Sequence, residues 1–175
     1  MLLAVREMEL HPVRFDVEIK PGVVEFEDEL RQTSPIACKG EAALPSDMLA
    51  EIRVKGSLEV DMEAPCDRCL EIAKYPIRTQ FDLLYQPNKP EFAPEEHLAK
   101  DEIEIGFYDG DGLVLEDILL EQIVLALPMQ KVCKPDCKGI CPNCGQNRNL
   151  AVCACQVKPS DNRWAALQSL KSKEF

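Results

Sequence analysis

No run of about 18 apolar residues occurs in this chain, which is the length a helix needs to cross a bilayer. Histidine is nearly missing: His11 and His97 are the only two, and neither stands near a cysteine in sequence. A catalytic zinc keeps an open position and usually draws on histidine or carboxylate, so that chemistry is disfavoured. There is no nucleophile elbow, no P-loop and no glycine-rich phosphate cradle. Internal repeats and low-complexity tracts are lacking too. The opening MLLAVREMELHP breaks its apolar run at Arg6 and Glu7, too early for a secretory signal. These absences point away from an enzyme, a small-molecule substrate and a membrane, and the expected compartment is the cytoplasm.

What the chain does have is cysteine. Nine occur in 175 residues, and six lie in CKPDCKGICPNCGQNRNLAVCAC, residues 133–155. In a reducing cytoplasm such clusters are more often metal ligands than disulfides. Leaving aside Cys38, read as a plain residue, the others form close pairs: Cys66 with Cys69, Cys133 with Cys137, Cys141 with Cys144, Cys153 with Cys155. CPNCG is the most specific of these. A C-x2-C turn places two sulfurs on one side of a tight loop, and Gly145 permits the positive φ that brings backbone N–H groups to them. Eight cysteines would satisfy two tetrahedral zinc sites. In one partition CPNCG and CAC share an ion while Cys133 and Cys137 reach back to Cys66 and Cys69. In the other a single zinc is drawn from the six C-terminal cysteines, leaving Cys66 and Cys69 free. An iron–sulfur cluster and thiol exchange at CDRC are further readings. An all-thiolate site is closed, hence structural rather than catalytic.

Charge is distributed unevenly. From Met129 onward eight bases (Lys131, Lys134, Lys138, Arg148, Lys158, Arg163, Lys171, Lys173) face three acids (Asp136, Asp161, Glu174). This segment is therefore +5 and, with a total of −11, the rest is −16. The asymmetry points to polyanion contact or to an intramolecular clamp, and Lys134, Lys138, Arg148 and Arg163 are the candidate phosphate contacts. Zinc bound by four thiolates is net −2, so metal loading would remove some or all of the +5.

Hydrophobic patterning predicts an α+β fold. Val13, Phe15, Val17 and Ile19 alternate as in a strand. Ile52–Met62 alternate likewise, with Gly56 as a possible bulge, and Tyr75–Tyr85 alternate again. Two such runs joined by CDRCL make an antiparallel hairpin. Residues 86–101 read as an exposed loop, EIEIGFY as a short strand and DGDG as a turn without the length of an EF-hand. Spacing over 114–127 predicts the helix that covers the sheet, stopped by Pro128. The expected organisation is an acidic β-rich body over 1–128, an antiparallel sheet covered by one long helix. A zinc-ribbon-like cysteine segment follows over 129–157, then a short basic C-terminal helix over 158–175. There Ser160 or Asp161 is the cap, and Trp164, Leu167 and Leu170 recur at threes for docking or for a partner.

The ordered set RFDVEIKPG, CDRCLE, LVLEDILLEQIVLALPMQKVC, CKGICPNCGQNRNLAVCAC and DNRWAALQSLK resembles the YceD-like family, the large ribosomal RNA subunit accumulation proteins. Asn162 stands where that family usually has proline, and Asn147-Arg148-Asn149 differs from its usual N-L-N; neither change touches a cysteine. The resemblance implies a non-enzymatic role in accumulation or processing of the large-subunit ribosomal RNA. It also implies a partner in the pre-large-subunit particle, either RNA or a ribosomal protein. The alternatives are a zinc-stabilised protein-interaction module and a thiol redox switch, both unrelated to ribosomes.

Overall fold

A computed structural model describes residues 1–27, 29–45, 51–88 and 105–155. Most of the expected loop at 86–101, the expected helix over 158–175 and Arg163 lie outside the described residues. The elements are β1 (Leu2–Ala4), α1 (Val5–Met8), β2 (Val13–Ile19), β3 (Arg31–Gln32), β4 (Ile36–Ala43), β5 (Ile52–Pro65), β6 (Ile72–Pro87), β7 (Ile105–Tyr108), β8 (Gly112–Val114) and α2 (Leu115–Ala126).

The hairpin β5–β6 is the axis of the fold. Its register is unbroken from Ile52↔Tyr85 to Pro65↔Ile72, so both strands keep strict alternation. Val54, Leu58, Val60, Met62 and Ala64 on β5 and Ala73, Tyr75, Ile77, Phe81 and Tyr85 on β6 are all buried. The opposite face is charged and sorted by register. Lys55 stands across from Asp82, Glu59 from Arg78 and Glu63 from Lys74, at 3.3, 3.0 and 3.8 Å. Exposed pairs of this kind contribute little stability each, but a slip of one residue would part every pair and turn the apolar face of the slipped strand outward.

Four further strands complete the sheet in the order β2-β4-β5-β6-β7, and β3 takes the place beside β5 nearer the hairpin tip, Gln32 opposite Met62. The sheet is mixed, because β7 pairs parallel to β6. Parallel neighbours need a long connection, and residues 88–104 supply it. Gly56 forms no bulge. It sits in a regular row, Phe15–Gly40–Gly56–Phe81, across four strands. A Cβ on Gly56 would lie 2.7 Å from the Phe81 ring and one on Gly40 would lie 2.5 Å from the Phe15 ring. The two glycines let the rings lie flat over the sheet, which explains why glycine stays in phase with the apolar positions.

The N-terminal residues form β1, paired with β8. Helix α2 leads directly from β8 and buries Leu115, Ile118, Leu119 and Ile123, a stripe at helical spacing, in the same core as the sheet. It has 12 residues, about 18 Å, and is not the long helix expected. Leu127 ends it in an extended conformation (φ −69°, ψ 144°), the region that a following proline imposes. Among the described residues no helix is long and apolar enough to cross a membrane.

Gly40→Ala is expected to destabilise the domain by roughly 1–3 kcal/mol, the usual cost of overpacking, because the new Cβ would meet the Lys55 carbonyl oxygen at 2.3 Å as well as the Phe15 ring. Urea unfolding of the variant beside the parent protein measures it; an unchanged midpoint would mean that the ring row is not packed as described.

Candidate metal centre

The hairpin ends in a tight turn. Cys66 donates its N–H to Glu71 O and accepts from Leu70 N–H, both at 2.9 Å, and Leu70 takes a left-handed φ of 64° to close it. This geometry holds Cys66 and Cys69 on one side of the tip. The segment after α2 returns to the same place. Lys131 N–H donates to the Asp67 carboxylate at 2.6 Å and its carbonyl accepts from Asp67 N–H at 2.7 Å. Cys133 and Cys137 follow, the second in a turn closed by its N–H to Lys134 O.

As a result the thiols of Cys66, Cys69, Cys133 and Cys137 all lie within 4.8 Å of one another. Cys66 and Cys137 sulfurs are 3.9 Å apart, Cys69 and Cys133 sulfurs 3.6 Å. Four sulfurs at about 2.3 Å from a tetrahedral zinc would be spaced by roughly 3.8 Å, so the spacing fits such an ion. Three of the four residues are buried; Cys133 is exposed. A second group, Cys141, Cys144, Cys153 and Cys155, is likewise gathered within 4.8 Å. Its knuckle is closed by Cys141 N–H to Gln146 O and Gly145 N–H to Cys141 O, each 2.9 Å. Gly145 adopts φ 73° there, the freedom that only glycine supplies at little cost.

Polar groups surround the sulfurs. Cys133 N–H points at Cys66 Sγ (3.3 Å), and the Asn149 amide donates to Cys137 Sγ (3.3 Å). Desolvation pushes the Cys66 thiol up, but the N–H groups of Cys133, Arg68 and Cys69 outweigh it and bring it down to about 6. The Asn149 amide lowers Cys137, and the N–H groups of Asn143 and Cys144 lower Cys141 to about 6. Cys133 is pushed up to about 12 by desolvation and by its neighbouring thiols; Cys155 reaches about 12 through its contact with Cys144 and through desolvation. In each group ionisation is thus favoured at one thiol and resisted at another, as expected where like charges converge. A divalent cation at the centre would remove that repulsion.

The grouping follows the partition in which Cys133 and Cys137 reach back to Cys66 and Cys69, and it leaves neither hairpin cysteine apart. Lys134, Lys138 and Arg148 lie on the ribbon that carries the thiols. Lys134 is half exposed and 4.0 Å from Asp136, Lys138 is exposed, and Arg148 is half-buried with its N–H on Gly139 O. Residues that were not among the predicted site residues also prove central. Arg68 O accepts from Ile140 N–H at 2.9 Å, and Gly139, at φ 68°, lies so close that a Cβ would approach Arg68 O to 2.9 Å. Asn147 and Asn149 brace the ribbon. No cysteine-counting rule flags them, since their role depends on which neighbours the fold supplies.

A family model described as large ribosomal RNA subunit accumulation protein YceD matches residues 54–171, more than half of the chain. The chain belongs to the YceD family. Relatives of this YceD-family chain include proteins of Mycobacterium bovis and Mycobacterium tuberculosis, both named only as uncharacterized. Each is 30% identical over 115 residues, 63% of this chain and 54% of their own length. The Bacillus subtilis protein YlbN, also named as uncharacterized, is 25% identical over 154 residues, 87% of this chain and 83% of its own. The chain spans about half the length of the mycobacterial relatives it matches. No solved structure matches.

Cys38 stands apart from both groups, 1% exposed on β4, and burial followed by the nearby Asp16 pushes its thiol up to about 11. In the native protein at pH 8 it is expected to resist maleimide after chelation has made the other thiols reactive, and to label only on unfolding. Its raised folded-state value also means that any stability it contributes is full below pH 9 and lost as pH rises through about 11. Mass mapping of labelled cysteines checks this, and prompt native labelling at Cys38 would contradict it.

Proposed function

We propose that this protein is a non-enzymatic, zinc-binding factor that supports accumulation and processing of large-subunit ribosomal RNA, acting in the cytoplasm on the pre-large-subunit particle. Membership of the YceD family, described as large ribosomal RNA subunit accumulation proteins, is the observation that carries the ribosomal role. The two tetracysteine groups support zinc as the bound metal, with Cys66, Cys69, Cys133 and Cys137 holding one ion and Cys141, Cys144, Cys153 and Cys155 the other. Zinc suits these donors: all eight are thiols, each set of four lies within 4.8 Å, and closed four-thiolate sites serve structure. Each ion would supply folding free energy to a ribbon with little apolar core of its own.

In this reading the metal sites hold a surface. Lys134, Lys138 and Arg148 on the ribbon, with Arg163 further along the chain, serve ribosomal RNA. The acidic remainder of the chain disfavours indiscriminate RNA binding and suits contact with a basic ribosomal protein, because complementary charge favours encounter.

Changing Lys134, Lys138 and Arg148 together to alanine is expected to weaken binding to large-subunit RNA. The slope of log K against log salt is expected to fall by about 0.7–0.9 for each phosphate no longer neutralised. Filter binding across a salt series reads the slope. An unchanged slope would remove these residues from the RNA interface. For the ribosomal role itself, the protein is expected to sediment with precursors of the large subunit on a sucrose gradient. Absence from every such fraction, with normal ribosomal RNA levels in a deletion strain, would overturn the assignment.

A further inference from the structure

Asn149 lies in the loop between Cys144 and Cys153, so it belongs by sequence to the second thiol group. Its side chain reaches the first. Asn149 Nδ2 donates to Cys137 Sγ at 3.3 Å and to Asn147 Oδ1 at 3.0 Å, while its Oδ1 accepts from Lys138 N–H at 2.9 Å. The backbone N–H of Lys138 can only donate, so it must face the amide oxygen and leaves the amide nitrogen toward the sulfur. Both amide hydrogens and the amide oxygen therefore have partners. Asn147, the residue it leans on, donates to Glu71 Oε1 at 3.3 Å, directly beyond the hairpin turn that carries Cys66 and Cys69. Arg148, between the two asparagines, donates its N–H to Gly139 O, and Ile140 N–H in turn meets Arg68 O.

The geometry points to Asn149 as a positioning residue that couples the two thiol groups into one metal-binding unit, by presenting a hydrogen-bond donor from the loop of one group to a ligand sulfur of the other. The inference rests on the proposed occupancy of both groups by zinc. Its physical basis is that a thiolate ligand carries excess negative charge, and an N–H aimed at it orients the sulfur and stabilises the thiolate. Loss of such an outer partner typically lowers metal affinity by about 10–100-fold. Here the donor is held in place only when its loop is ordered, and that loop is tied down at both ends by Cys144 and Cys153. Filling the second group therefore strengthens the first, and by linkage the first strengthens the second.

The test uses the full-length zinc protein. Metal content is measured first, then chelator is titrated in, and released cysteines are trapped with maleimide and mapped by mass spectrometry. In the parent protein, both groups are expected to become labelled over one chelator range. Asn149→Ala is expected to release Cys66, Cys69, Cys133 and Cys137 at about 10–100-fold lower chelator concentration. Asn149→Asp separates the donor from a mere loop tether: it keeps an oxygen for Lys138 N–H and loses the N–H to Cys137. The inference requires that Asn149→Asp behave as badly as Asn149→Ala or worse. If Asn149→Asp releases metal as the parent does, the amide is only a tether and the coupling is overturned. Release of the first group at parental chelator levels in both variants overturns it too. A parent protein holding fewer than two zinc ions overturns the metal assignment, and the coupling with it, so the two failures are told apart by the first measurement.

Discussion

Everything described after Pro128 is fastened to the sheet at one place, the tip of the β5–β6 hairpin. Four thiols meet there, two from the turn and two from the returning chain. Cys66 and Cys69 stand at the end of the longest and most regular ladder in the molecule, so their positions are set by the sheet. Cys133 and Cys137 come from a segment with few apolar contacts, Val132 being the partly buried one packed on the cluster. Four thiols gathered so closely repel one another as they ionise. A cation bound there would take up that charge and fix the junction on which the ribbon sits.

The hairpin could be read from residues alone because both strands bury one face and expose the other, so period-2 alternation runs through Ile52–Met62 and Tyr75–Tyr85 without interruption. The knuckle could be read because C-x2-C-G has few geometric solutions. Other features were hidden for physical reasons. The short edge pairs, β1 with β8 and β3 with β5, have too few residues to show a period, and the parallel setting of β7 is decided by a connection rather than by its own residues. Gly56 imitates a bulge in sequence, yet it is the flat site that receives Phe81. Helix α2 follows its apolar spacing, but Leu127 leaves the helix because Pro128 follows. Asn147 and Asn149 match the asparagines of the family's N-L-N, but their role shows only when the fold places Cys137 and Glu71 beside them.

The charge pattern divides along the same lines as the structure. On the outer face of the sheet, charges oppose one another across strands and largely cancel, so that face is a solvated surface with its register written into it. Around the thiol groups, among the described residues, Lys134 has Asp136 at 4.0 Å, and Lys138 is exposed. The basic groups thus lie on the segment that the thiol junction positions, which ties the proposed RNA-facing surface to metal occupancy.

Centrally, the hairpin tip and the ribbon are taken to share one metal while the ribbon holds another alone. Native mass spectrometry of Cys66/Cys69→Ser beside Cys141/Cys144→Ser tests this most directly. Two zinc ions are expected in the parent protein and one in each variant. A Cys66/Cys69→Ser protein that keeps the parental metal content would contradict it.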